Sequence, residues 1–328
     1  MAVGCAVVRR DVQRLKSADE VREFYSLGDL IGAGTYGLVR SAVSKEDGQE
    51  YALKTIKKAR QQHYRREVLL SSRVKHPAVL SPQRVFETPD DVLMVTELCR
   101  GGELFEFVAD HNMYLGTLDE EAVLEITREM LVAIEACHRA EFAHLDIKPE
   151  NFVFRVPYTD ILKDMRNVRN NLVLIDFGAA QPFRLRPYAS SSAQYDKDMD
   201  EFFSGETSLG GTASYVSPEV LHGRFSSRSD LWSLGVTLFM LIAGRRPFDV
   251  NIDAQPSDFD RHVQENIKEE AALPLGTSLY STCEELGLAN NSTVDILLNM
   301  MHPEPILRKS ATELIAEIDR MLEEEHRN

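Results

Sequence analysis

The sequence has one tryptophan and four cysteines in 328 residues, and no apolar run long enough to cross a bilayer. Cys5, Cys99, Cys137 and Cys283 are scattered without a C-x-x-C pair. That spacing suggests neither a zinc knuckle nor a disulfide framework, so a reducing compartment is expected: the cytoplasm, with the nucleus also open. The apolar stretch over 2–8 is too short for the core of a signal peptide, and Ala at position 2 excludes N-myristoylation. Internal repeats, low-complexity tracts and calcium loops of EF-hand spelling are also missing. Positive charge is scarce: 37 Lys and Arg against 52 Asp and Glu leave a net charge of −15. Such a chain has no general attraction to phosphodiester backbones or anionic lipid, so neither nucleic acid nor a membrane is expected as partner. Solubility is the plainest reason for the acidic excess, and a partner, where there is one, is expected to be basic.

What is present is enough apolar material, 43% of the residues, for a large core. Residues 1–23 are polar and mixed in charge and read as a mobile or weakly helical lead-in. From Phe24 to Glu97 the pattern is a series of short β-type runs, LGDLIG, GLVRSAVS, EYALKTI and VLMVTEL, with one helical segment near 60–74. After Gly102 the period changes, and helices are expected over 120–140, 230–243, 261–271, 294–301 and 312–325. Two short apolar runs, NFVF and NLVLIDF, lie between the first two of these. The expected fold is α+β and bilobal: a β-rich lobe over 24–97, a larger helical lobe over 98–319, and a short tail over 320–328. Junctions between lobes are where ligands bind.

Three stretches stand out, and the last of them lies just past that junction. IGAGTYGLV sets Gly32, Gly34 and Gly37 in G-x-G-x-x-G spacing, which dinucleotide folds also use between a strand and a helix. Here a second strand pattern follows, so the loop reads as a β-hairpin able to lay backbone N–H groups over phosphates; an ordinary Gly-rich hairpin is the alternative. YALK puts Lys54 on the next strand among apolar residues, where an anion must meet it or the side chain must reach solvent. HLDIKPENFVF gathers Asp146, Lys148 and Asn151 between apolar flanks, a pattern that alone suits an ordinary polar turn set by Pro149.

Taken in order, the glycine loop, YALK, HLDIKPEN and LIDFG resemble the signature set of the protein kinases. GTASYVSPE and DLWSLGV extend the resemblance over about Phe24 to Asp319, and ELCRGGELFEFV with the KPEN spelling is most similar to Ser/Thr kinases of the calcium/calmodulin-dependent type. The resemblance implies transfer of the γ-phosphate of ATP to Ser/Thr hydroxyls of protein substrates, with Mg²⁺ as cofactor and Mn²⁺ able to replace it, by a monomer. It assigns Asp146 to orient the acceptor hydroxyl, Lys148 to neutralise the γ-phosphate, and Asn151 and Asp176 to hold the metal through oxygen. Lys54 would clamp the α- and β-phosphates and pair with Glu67. The nucleotide site would comprise Ile31, Gly32, Gly34, Gly37, Val39, Ala52, Lys54, Thr96, Glu97, Cys99, Glu103 and Val153. Thr212 would touch the catalytic aspartate, Asp230 would accept hydrogen bonds from the catalytic-loop backbone, and Glu219 would pair with Arg308. A catalytically inactive pseudokinase scaffold shares the fold, but such chains typically lose a residue equivalent to Lys54, Asp146 or Asp176, and all are present.

Several positions depart from the family pattern. Leu145 stands where members regulated by loop phosphorylation have Arg, so a phosphate between Asp176 and Glu219 loses its usual partner unless Arg184 or Arg186 replaces it. Phosphorylation of that segment is therefore expected to be dispensable. The segment is long and contains SSSAQYDKDMDEFFSGETS, which reads as a mobile loop. VPYTDILKDMRNVRNN interrupts what is normally a tight strand pair and is either a docking insert or surface decoration. Glu103 and Glu150 resemble acidic positions that meet arginines ahead of the acceptor in basophilic relatives; ribose contact and solvent exposure are the alternative roles. Thr96, a small residue, would gate the space behind adenine.

Overall fold

A computed structural model describes residues 12–34, 37–59, 64–114, 116–183, 203–204, 212–248, 259–273, 277–287 and 292–325. Most of 190–208, together with Arg184 and Arg186, lies outside the described residues.

The N-terminal lobe is one six-stranded sheet. Its strands are β1 (Val12–Arg14), β2 (Tyr25–Gly34), β3 (Gly37–Ser44), β4 (Glu50–Lys57), β5 (Arg84–Glu87) and β6 (Asp91–Glu97), in the spatial order β1-β5-β6-β4-β3-β2. The four expected strands are all present, and their two faces bury separate clusters. Tyr25, Ala42, Leu53, Leu93 and Val95 pack on one side with Phe86. Ile56, Val92 and Met94 pack on the other with Val68 of α1 (Tyr64–Arg73). Alternation of this kind is what a sheet buried on both faces demands.

The sequence pattern missed β1 and β5. Both are too short to show a period, and β1 is held by parallel register with β5, Val12 opposite Val85, a long-range choice that no local pattern encodes. Together with a 3₁₀ turn at Ala18–Glu23, whose Val21 is buried, β1 carries structure across the expected boundary at residue 24. Structure likewise continues past residue 319.

The C-terminal lobe contains α2 (Leu104–Tyr114), α3 (Glu120–Arg139), strands β7 (Phe142–Ala143), β8 (Phe152–Phe154) and β9 (Leu172–Leu174), the short α4 (Tyr158–Ile161), and then α5 (Ser227–Ala243), α6 (Phe259–Ala272), α7 (Thr277–Glu285), α8 (Thr293–Met300) and α9 (Ala311–Glu325). Leu314, Ile318 and Leu322 recur at helical spacing on α9 and are all buried, so the apolar stripe crosses into the expected tail. Asp119 caps α3 by accepting from the Ala122 N–H at 2.8 Å, and Ser226 with Ser229 forms a reciprocal cap on α5. Almost all of α5 is buried, Trp232 included, because α3, α8 and the segment around Ser214 pack around it. No helix among the described residues is long and apolar enough to cross a membrane.

Candidate active site

The hairpin β2–β3 brings Gly34 opposite Gly37, and register then runs Gly32–Val39–Lys54–Met94 across three strand pairs. Ala52 pairs with Thr96 two residues along, so Gly32, Val39, Ala52, Lys54 and Thr96 share the sheet face that also carries α1. The necessity of Gly37 is structural: a Cβ there would lie 2.3 Å from the carbonyl oxygen of Thr55. At Gly32 a Cβ would make only ordinary contact with Val39, and Ile31 is half exposed.

Lys54 meets two anions. Its Nζ lies 2.7 Å from Glu67 Oε1 on α1 and 3.3 Å from Asp176 Oδ1 in the other lobe. Burial alone would lower the Lys54 pKa, but the charges of Asp176 and Glu67 outweigh it and the net shift is upward. Burial would raise the Asp176 carboxyl; Lys54 and a hydrogen bond from the Gly178 N–H reverse that and hold it low. Lysine and aspartate therefore face each other as a charged pair. Asp176 takes φ 62°, and the next side chain, Phe177, packs edge-on against Phe142 and His144.

A second cluster forms around Asp146. Asn151 Nδ2 donates to the Asp146 carbonyl at 2.6 Å and to its Oδ2 at 2.9 Å, and Lys148 Nζ lies 2.9 Å from the same oxygen. The Thr212 N–H donates to Asp146 Oδ1 at 3.2 Å, and Lys148 Nζ donates to Thr212 Oγ1 at 2.8 Å. The loop that carries these groups is fixed from below by Asp230, fully buried on α5, which accepts from the backbone N–H groups of His144 and Leu145 at 2.8 Å each and bonds His138 Nε2 at 2.9 Å. Leu145 itself sits at φ 62° and packs on a small apolar cluster of Ala143, Phe183 and Phe225.

The segment after β6 joins the lobes. Gly101 N–H donates to the Phe154 carbonyl at 2.8 Å, Phe154 N–H donates to the Gly102 carbonyl at 3.0 Å, and Glu103 bridges Val153. Glu97, Cys99 and Glu103 thus line one edge, with Val153 beneath. Burial pushes the Cys99 thiol up to about 11. Burial and the charges of Glu106 and Glu150 raise the Glu103 carboxyl, and Glu150 Oε2 is enclosed without a hydrogen-bond partner among the described residues.

Asn151 and Asp176 suit a hard divalent cation: Asn151 spends its amide N–H groups on Asp146, which leaves its carbonyl oxygen for a ligand. The described residues contain no cluster of three or more acidic, His or Cys ligands. Two protein oxygens are nonetheless enough for Mg²⁺ where substrate phosphates complete the shell. Sequence reasoning missed the Arg66–Gln181 bond at 2.9 Å, which links α1 to the segment after Gly178, and the contacts of Arg155. Neither has a local signal, because both depend on where distant segments meet.

A β-rich lobe, a helical lobe and an ion-paired cleft between them define the bilobal protein-kinase fold. The chain belongs to the protein kinase domain family, whose family model matches residues 25–318. It is 32% identical over 253 residues to calcium-dependent protein kinase 1 of Arabidopsis thaliana, a match covering 75% of this chain and 37% of that protein. Death-associated protein kinase 2 of Mus musculus is 30% identical over 259 residues, covering 74% of this chain and 62% of that protein. The chain therefore spans between about one third and under two thirds of the length of these relatives. Among solved structures, a crystal structure of Rad53 1–466 in complex with AMP-PNP shares the fold with a TM-score of 0.63 and 22% identity, covering 90% of this chain and 65% of that one.

Proposed function

We propose that this chain is a Ser/Thr protein kinase that moves the γ-phosphoryl group of ATP to a Ser or Thr hydroxyl of a protein. The observation that carries the reading is the pairing of two charge clusters: Lys54 with Glu67 and Asp176, and Asp146 with Lys148, Asn151 and Thr212. Phosphoryl transfer asks a protein for position and countercharge, and these clusters supply both.

Asp146, oriented by Asn151 and Thr212, accepts the proton of the acceptor hydroxyl. Lys148 neutralises charge on the transferred group, and Lys54, held by Glu67, clamps the α- and β-phosphates. Asn151 and Asp176 would hold Mg²⁺, which would supply positive charge against the developing negative charge of the transferred group. The backbone of Glu97 and Cys99 receives adenine, Ile31, Val39, Ala52 and Val153 enclose it, and the glycine hairpin lies over the phosphates.

The acceptor site favours arginine ahead of the phosphorylated residue. The closeness of the Glu103, Glu106 and Glu150 charges supports this, since a guanidinium pairs well with carboxylates. A peptide library with Mg-ATP tests activity and preference together. Phosphorylation of peptides carrying Arg three residues before Ser or Thr is the expected result, and an acidic or proline-directed preference would remove the specificity reading.

A further inference from the structure

Arg155 directly follows β8, four residues after Asn151. Its guanidinium joins three segments that are far apart in sequence. Nε donates to both carboxylate oxygens of Glu97, at 2.9 and 3.0 Å; Nη1 donates to the carbonyl of Asn170 at 2.5 Å and Nη2 to the carbonyl of Pro77 at 2.6 Å. Its backbone adds two more ties: the carbonyl accepts from the Arg100 N–H at 3.2 Å, and the N–H donates to the Asn171 carbonyl at 2.9 Å. Glu97 ends β6 where the lobes join, and Pro77 lies in the connection from α1 to β5. A single side chain thus ties the strand leading from Asn151 to the interlobe segment and to the connection below α1.

The insert between β8 and β9 supplies the third tie. Its last turn is bolted to α3: Arg169 makes two 2.7 Å bonds to the fully buried carboxylate of Glu125, and the Asn170 N–H donates to Glu129 Oε1 at 2.9 Å. Asn170 adopts φ 64°, a left-handed conformation that asparagine tolerates, and presents its carbonyl to Arg155. Two buried glutamates are more anchorage than surface decoration requires, and their effect is to fix the acceptor that fixes Arg155.

We infer that Arg155 is a positioning residue for nucleotide binding, and that the insert is the bracket that holds it. By gripping Glu97 from β8, it keeps the adenine-facing backbone of 97–99 in register with the loop that carries Asp146 and Asn151. The inference rests on the proposed kinase reading. A planar fork suits the task because it reaches three acceptors in different directions, which a point charge does not. Without it the interlobe segment must be ordered by the nucleotide itself, and that cost appears in KM before kcat.

The test compares wild type, Arg155→Ala, Arg155→Lys, Glu97→Ala and the double variant, each assayed against Mg-ATP concentration with a basic serine peptide and each melted in parallel. Arg155→Ala is expected to raise KM for ATP about tenfold while kcat stays within about threefold. Arg155→Lys should fall between, since its ammonium still faces Glu97 but drops the two carbonyls. Because Arg155 and Glu97 act as one latch, the double variant should be little worse than either single variant. The Glu97 side chain is 41% exposed, so Glu97→Ala carries the test should Arg155→Ala not fold. A lower melting temperature with an unmoved or reduced KM would overturn the inference and leave Arg155 a structural staple. A wild type without turnover would remove the kinase reading and this inference with it, whereas an active wild type with an unmoved KM in the variants removes the inference alone.

Discussion

Replacing Arg308 with Met should destabilise the helical lobe by about 3–5 kcal/mol, because it strands a buried carboxylate. In the structure Arg308 is fully buried, and Nη1 and Nη2 reach the two oxygens of Glu219 at 2.8 and 2.9 Å. The same guanidinium bonds the carbonyls of Arg228 and His302 and lies 5.1 Å from the centre of the Trp232 ring. Methionine fills much of the volume but leaves Glu219 with the Ser229 hydroxyl and its own backbone N–H and no countercharge from residue 308. Burial would raise the Glu219 carboxyl, yet Arg308 overrides it and holds the group below its usual value of 4.5. A folded pKa below the unfolded one contributes stability above the unfolded value, and this is lost as pH falls through the folded value. In the variant the sign reverses: the unpaired carboxyl titrates above its unfolded value, so the penalty is full at high pH and fades on acidification. The gap between wild type and Arg308→Met is therefore largest at neutral pH and narrows toward pH 4.5. For a chain of this length each kcal/mol moves the melting temperature by roughly 1.5 °C, so a fall of roughly 4–7 °C at pH 7 is expected. Trp232, the one tryptophan, reports the transition by fluorescence, with far-ultraviolet circular dichroism as a second probe. The double variant Arg308→Met, Glu219→Leu should recover most of the loss. A fall below about 1 °C for the single variant, or a double variant no better than the single one, would refute the reasoning.

Further outcomes follow from the cleft. Leu145 packs on apolar Phe183 and Phe225 and offers no charge to a phosphate; full dephosphorylation should leave the peptide-kinase rate within about twofold, and a tenfold loss would contradict it. Thr96, buried opposite Ala52, should admit inhibitors with a bulky group directed behind adenine, and Thr96→Met should weaken them at least tenfold, about 1.4 kcal/mol; equal potency on both forms counts against the placement. Burial raises the Glu103 carboxyl, so it neutralises at a higher pH than an ordinary glutamate and the preference for arginine-containing peptides should weaken as pH is lowered toward that range. A preference ratio flat with pH would argue that Glu103 does not meet the peptide.

The parts of the molecule that were legible in its sequence are those set by local pattern or by chemistry confined to one motif. The strands β2, β3, β4 and β6 show their runs plainly, and α3, with its acid-rich first turn and amphipathic stripe, was readable to within a residue or two. Lys54, Asp146, Asn151 and Asp176 stand in short motifs whose order is informative before any geometry is known. By contrast β1 exists only through its pairing with β5, and α2 has a weaker stripe, because it buries Leu104, Phe107 and Val108 and leaves Phe105 and Met113 exposed. Arg155 is the clearest case of what sequence hides. Nothing in FVFRVP marks that arginine, and its role depends on Glu97, Pro77 and Asn170 arriving from three directions. Likewise the insert looked like decoration because the glutamates that anchor it lie on α3, distant in sequence.

The most direct measurement of the central claim is transfer of label from γ-labelled ATP, with magnesium, to a serine peptide carrying upstream arginine, by wild type and by Asp146→Asn. The account predicts incorporation by wild type and a loss of at least about a hundredfold in the variant, whose amide cannot take the hydroxyl proton. Equal incorporation by both, or none by a folded wild type, would contradict it.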